Sequence, residues 1–209
     1  MPMHERTLVI GNKNLSSWSL RPWLALRHGG IPFREEIVRL DLPDTKQRIA
    51  ALSPSGRVPV LVDGELKIWD SLAICEWAAE RVPSLWPSDP NHRAIARSVS
   101  AEMHSSFQAM RGELPMNVKL RTKKELSPAA RADVARVIAV WSECRRNYGA
   151  EGEFLFGAFS IADCIYAPVV TRFYSYGVML DDVPARYSAA VFAHPAMLAW
   201  CEAAEHEVA

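Results

Sequence analysis

Three serines, Ser16, Ser17 and Ser19, crowd the junction between an apolar run, TLVIG at 7–11, and a segment with helical spacing. Pro22 has no N–H and is best tolerated in a first helical turn, so the helix is predicted to begin near residues 17–19, with Ser16 in the loop just before it. Hydroxyls at such a place allow two chemistries. They cap the orphan N–H groups of the helix, or one of them, helped by the positive helix end, stabilises a bound anion. Asp70-Ser71 opens another predicted helix and offers the same choice. Either the pair caps, or Ser71 and nearby N–H groups hold a carboxylate while Asp70 holds an ammonium, which together describe an α-amino acid end. Val58-Pro59 stands at the mouth of a strand, VPVLV. An X-Pro bond is cis in only about 5% of cases, but a proline there removes a ladder donor and frees the backbone of Val58 to pair with an extended, peptide-like ligand. SIAD at 160–163 has the form of a capping box preceded by Phe159 as a staple, a folding device without catalytic role.

The elements that must position these residues follow from periodicity. TLVIG and FREEIVRL (33–40) are predicted strands, separated by a helical stripe of Leu20, Trp23 and Leu24 that stops at Gly29-Gly30. A short helix is expected within 45–52. Then VPVLV and ELKIW flank Asp63-Gly64, a hairpin signal, and a further helix starts at Ser71 and ends by Val82-Pro83. A β-α-β unit implies a right-handed crossover with parallel pairing, and the hairpin adds antiparallel strands. The prediction is a four-stranded mixed sheet with helices on its faces, over residues 1–83. Residues 84–92, SLWPSDPNH, are read as a linker, and 93–209 as an all-α domain. Its expected helices are Ala94–Lys119 (bent near Gly112 or Pro115), Pro128–Tyr148, Ser160–Tyr174 and Pro195–Glu207.

Composition narrows the function classes. Nearly half of the 209 residues are hydrophobic, enough for a sizeable core. Lys plus Arg and Asp plus Glu number 24 each, so no general field attracts nucleic acid or anionic lipid. No apolar run approaches the ~18 residues of a membrane span, and MPMHERTLVI has no signal-peptide core, so a cytoplasmic protein is expected. The four cysteines are widely spaced with no C-x-x-C, which argues for core residues rather than a disulfide framework or a zinc site; no metal is expected.

Taken together, SSWSLRPW after the first strand, SPSGRVPVL, WDSLAICEWA and SIADCIYAP resemble the glutathione transferase superfamily in order and spacing over essentially the whole chain. The SSxS start is most similar to the serine-type zeta class and its bacterial relatives. The resemblance implies a thioredoxin-like first domain, glutathione as co-substrate and a homodimer. Ser16 matches the serine that hydrogen-bonds the glutathione sulfur, and Val58 the residue before a cis proline, Pro59, whose backbone pairs with the cysteinyl part. Asp70 and Ser71 match the pair holding the γ-glutamyl end, and Arg57 is placed to reach the glycyl carboxylate. A small hydrophobic electrophile would sit in a second pocket between the halves, for which Met103, Phe107, Met110, Arg111, Arg172 and Tyr174 are candidate lining. Trp18 stands where zeta-class maleylacetoacetate isomerases usually have cysteine, and Arg172 lies about one turn before the arginine that class uses. The activity implied is glutathione transfer. The alternatives are a glutathione-dependent isomerase and a non-catalytic binding protein on the same fold.

Overall fold

Alternation along TLVIG puts Leu8 and Ile10 on one face of a strand and Val9 on the other, and each face meets a different core. A computed structural model of the chain describes residues 6–40 and 42–207; the MPMHE stretch lies outside the described residues. Strand β1 (Thr7–Gly11) pairs parallel with β2 (Arg34–Val38) and antiparallel with β3 (Val60–Asp63), and β3 pairs antiparallel with β4 (Leu66–Trp69). The order is β2-β1-β3-β4, a four-stranded mixed sheet of the thioredoxin-like kind, as the sequence predicts. At Gly11, the last residue of β1, a Cβ would lie 2.6 Å from Leu40 Cδ1, so a larger residue there would have to displace that side chain.

Helices α1 (Ser17–His28) and α3 (Ser71–Ala79) cover the Leu8 and Ile10 face, and α2 (Thr45–Leu52) brings Ile49 to Val9, Val38 and Val60 on the other. The Leu8 core runs without a break into an all-helical domain, where α1 packs on α7 (Ile161–Ser175) and on α9 (Pro195–His206). Each fully buried side chain of this shared core, such as Leu24 or Val169, contributes roughly 1.5–3 kcal/mol by leaving water, so the two halves are coupled through α1.

The helical domain departs from the predicted pattern in three places. Helix α4 (Pro90–Ser105) begins inside the stretch read as a linker, because Asp89 accepts from the N–H groups of Asn91 and His92 and Pro90 opens the first turn. It ends earlier than expected, where Phe107 takes a left-handed conformation (φ 65°) before α5 (Gln108–Glu113), so the bend comes five residues ahead of Gly112. Helix α6 (Pro128–Tyr148) is capped by Ser127 as predicted, and the Ser160–Asp163 capping box is present at the start of α7. Helix α8 (Asp182–Ala193) was not anticipated; Tyr187 and Val191, four apart, were its signal, and both are buried. Among the described residues no helix is long and apolar enough to cross a membrane.

Candidate functional site

Three predicted motifs converge on one cleft of about 530 Å³, lined by Trp18, Ser55, Arg57, Val58, Pro59, Trp69, Asp70, Ser71 and His104. A larger groove of about 630 Å³ lies between α6 and α8, but it contains none of the motif residues. The Val58-Pro59 bond at the cleft is cis.

Asp70 has φ 74°, a backbone state that a non-glycine residue rarely adopts and that costs of order 1–3 kcal/mol. The twist lets one carboxylate oxygen accept from Leu72 N–H at 2.8 Å, capping α3, while the other faces His104 Nε2 at 3.3 Å. His104 is held below its usual pKa by burial, an effect Asp70 partly opposes. Nδ1 of His104 has no hydrogen-bond partner among the described residues. Beside them the Ser71 hydroxyl is buried and makes no hydrogen bond. Buried hydroxyls are nearly always paired, so the unpartnered Ser71 Oγ among the described residues, at a helix N-terminus in the cleft, stands out.

Ser16 and Ser17 are not among the residues that line the cleft; they precede Trp18, which is. Ser16 is the N-cap residue of α1 in sequence, yet its side chain makes no capping bond; its hydroxyl donates to Ser19 Oγ at 2.7 Å, and Ser19 Oγ also accepts from Gly11 N–H at 3.1 Å. Ser17 Oγ accepts from Arg172 Nη2 at 3.1 Å, leaving its proton free to be donated onward. Both serines are buried, and Trp18, next in sequence, presents its indole to the cleft. The loop before them is firmly held: Glu207 accepts from the N–H groups of Lys13 (2.6 Å) and Asn14 (3.0 Å), and Asn12 O from that of Ser16 (2.8 Å).

The residues predicted to line an electrophile pocket separate in the structure. Met103, Phe107 and Met110 are core residues. Tyr174 is not at the cleft; it is 56% exposed, packs against Phe192 and lies under Arg121. Arg111 and Arg172 do approach the α1 N-terminus. Arg111 sits 5.0 Å from the Trp18 ring centre and donates to the carbonyls of Met103 and His104, and Arg172 donates to those of Arg111 and Leu114 as well as to Ser17. A third guanidinium, Arg21, was not foreseen, nor were Trp18 and His104 as cleft residues. Arg21 lies one turn past Ser17 on a helix whose stripe is apolar, and its sequence neighbours give no sign of its burial. Among the described residues no group of three or more His, Cys, Asp or Glu could hold a metal ion.

Comparison with known proteins agrees with this arrangement. The family model for the N-terminal domain of glutathione S-transferases matches residues 15–81, and that for their C-terminal domain matches 124–203. The chain is 35% identical over 97 residues to a probable maleylacetoacetate isomerase of Caenorhabditis elegans, an alignment spanning 45% of this chain and 44% of that protein. It is 27% identical over 179 residues to glutathione S-transferase 1 of Dianthus caryophyllus, spanning 82% and 80%. The structure of a glutathione transferase homologue from Burkholderia, solved with bound glutathione, superposes with a TM-score of 0.73 at 22% identity over 98% of this chain and 99% of that one, a likeness of fold. With a four-stranded mixed sheet, an all-helical second domain and both family domains matched in order, the chain belongs to the glutathione S-transferase superfamily.

Proposed function

We propose that the protein is a glutathione transferase that binds glutathione in the 530 Å³ cleft and activates its thiolate for attack on a small electrophile. The observation that carries this is the unpartnered, buried Ser71 hydroxyl beside the strained Asp70, at a helix N-terminus. That triplet of donor, dipole and carboxylate suits the γ-glutamyl end, with its carboxylate on Ser71 and its ammonium on Asp70. Val58 takes the cysteinyl backbone and Arg57 the glycyl carboxylate. The sulfur then lies toward the α1 N-terminus, where Ser16 turns its proton from Ser19 to the sulfur while Ser19 keeps its bond from Gly11. Ser16 remains protonated throughout.

The mechanism is electrostatic. A free thiol ionises near pH 8.5, so only a few per cent is thiolate at neutral pH. A hydroxyl donor and a helix N-terminus that lower this by about 2 pKa units, about 2.7 kcal/mol, leave most of the bound sulfur ionised. A homodimer belongs to the same reading, supported by the exposed Leu66 and Trp69 on β4, the strand that ends the sheet order. A second reading, a glutathione-dependent isomerase, is favoured by the similarity to the Caenorhabditis elegans protein; the same thiolate would then add reversibly and leave again.

Ultraviolet absorbance at 240 nm on addition of glutathione tests the ionisation directly. Ser16→Ala is expected to cut turnover with a reactive aryl halide at least ten-fold and to return the thiol's ionisation toward pH 8.5, with glutathione still bound. Full activity in Ser16→Ala with loss in Ser17→Ala would move the role to Ser17, and an ordinary thiol pKa in the wild type would end the proposal.

A further inference from the structure

The loop between β1 and α1 leads into Ser16, and its apex is held from the helical half of the chain. Glu207, the residue after α9, sets both carboxylate oxygens on adjacent backbone N–H groups, Oε1 on Lys13 at 2.6 Å and Oε2 on Asn14 at 3.0 Å. The carbonyls of the same two residues are taken as well: Lys13 O accepts from Trp200 Nε1 at 2.9 Å, and Asn14 O from Val118 N–H at 3.1 Å. Asn14 Oδ1 accepts from Lys119 N–H at 3.1 Å, and Lys119 Nζ donates to the carbonyl of Glu207 at 2.7 Å, so one lysine ties holder and held together. All four backbone polar groups of Lys13 and Asn14 are therefore bound, and every partner comes from the chain beyond α5. The first half of the chain holds the loop by other groups: Asn12 Oδ1 accepts from Leu40 N–H at 2.7 Å, and Lys13 Nζ meets Glu35 at 2.6 Å.

The apex lies between β1, which ends at Gly11, and α1, which begins at Ser17, so neither a strand ladder nor a helix fixes it. A carboxylate on backbone N–H groups makes hydrogen bonds roughly twice as strong as neutral ones, and here one carboxylate makes two. Their effect reaches Ser16 by a short path. The N–H groups of Leu15 and Ser16 both turn back onto Asn12 O, at 3.1 and 2.8 Å, closing the turn whose apex is Lys13 and Asn14. We propose that Glu207 is a positioning residue for the reaction: by gripping the apex it sets the place and direction of the Ser16 hydroxyl relative to the glutathione sulfur. This rests on the reading of Ser16 as the donor to that sulfur. Displacing a reacting group by about 1 Å costs about 100-fold in rate, and a site group has to be held within about 0.5 Å of its productive place. A carboxylate 194 residues along the chain from Lys13, with no contact to the cleft lining, thus bears on how far the bound thiol ionises.

Hydrogen exchange reads the grip with no ligand present: in Glu207→Ala the Lys13 and Asn14 amides should exchange about ten-fold faster than in the wild type. With glutathione added, the thiol followed at 240 nm should ionise about one pH unit higher in that variant, a ten-fold change in the ionisation constant. Turnover of a reactive aryl halide should show kcat lowered about ten-fold and KM for glutathione within about two-fold, because the grip serves the transition state and not binding. Glu207→Gln keeps one acceptor oxygen and puts an NH2 where the other was, so it should fall between wild type and Glu207→Ala. Glu205→Ala, exposed and two residues earlier, should match the wild type. Faster exchange at Lys13 and Asn14 with thiol ionisation and kcat unchanged overturns the proposal, and so does a loss of turnover that follows a lowered urea midpoint in proportion. Should Glu207→Ala fold poorly, the isosteric Glu207→Gln decides alone, and wild-type ionisation in it overturns the role of Glu207. An ordinary thiol pKa in the wild type ends the glutathione reading itself, whereas a lowered pKa that both variants keep ends only the positioning role.

Discussion

Arg21→Met is expected to make the protein more stable, and the size of the gain can be worked from the structure. The Arg21 guanidinium ionises at about 9, well below the ordinary arginine range, chiefly because it is buried and then because Arg111 and Arg172 repel it. A difference of that size corresponds to about 5 kcal/mol disfavouring the charged form in the folded state. The sign follows from proton counting. From pH 9 up to the ordinary arginine range the unfolded chain holds the proton that the folded chain has released, so stability rises with pH across that window, and at pH 7 the full cost is present. The contact with Trp18 at 4.2 Å returns about 1–2 kcal/mol, which methionine forfeits. Methionine keeps most of the apolar stem and removes the charge, for a net gain of about 3 kcal/mol, in line with the general finding that replacing buried charge by apolar volume stabilises. At roughly 2–4 °C per kcal/mol for a chain of this length, the melting temperature should rise by about 6–12 °C. Urea unfolding at pH 7, with an unchanged m-value, measures it. If the variant instead loses 1 kcal/mol or more, Arg21 is an element of the fold with a partner of its own, and the argument from its isolation fails.

Two further outcomes are expected. Ser71→Ala should leave the urea midpoint nearly unchanged, since the hydroxyl has no partner to lose, while weakening glutathione binding about ten-fold, or 1.4 kcal/mol; a lowered midpoint with unaltered affinity would contradict this. Acid should loosen the contact between the two halves at His194, which accepts from Ala196 N–H through Nδ1 and meets His28 Nδ1 at 3.1 Å through Nε2. Burial, then His28, lowers its pKa from 6.5 to about 4, so the unfolded chain binds the extra proton between those values and stability falls as pH drops through them. With the ring half-exposed the effect is about 1 kcal/mol. His194→Asn, which keeps a capping acceptor, should show a smaller loss of stability between pH 7 and pH 5 than the wild type, and equal losses would refute the assignment.

The order of elements in the first domain was legible in the sequence because its signals are local. The apolar run TLVIG, the Asp63-Gly64 turn and Ser127 before Pro128 each act within a few residues, and each is where it was expected; Pro22, expected in the first turn of α1, lies instead inside it. Asp70 and Ser71 were legible as a helix start for the same reason, and Arg57, Val58 and Pro59 as their neighbours across the cleft from the resemblance in spacing. The break between α4 and α5 was not, because Phe107 takes its left-handed backbone where tertiary packing buries its side chain, not where a glycine would allow it. What tertiary structure alone decided is which polar groups have partners. Ser16 donates to Ser19, whereas Ser71 has no partner among the described residues; Tyr174 is largely exposed; and Arg21, Arg111 and Arg172 meet near Trp18 from helices up to 151 residues apart. A hydrogen bond or ion pair is a relation over a few ångströms, and its absence is written in the arrangement of several distant segments at once, which no local pattern of residues encodes.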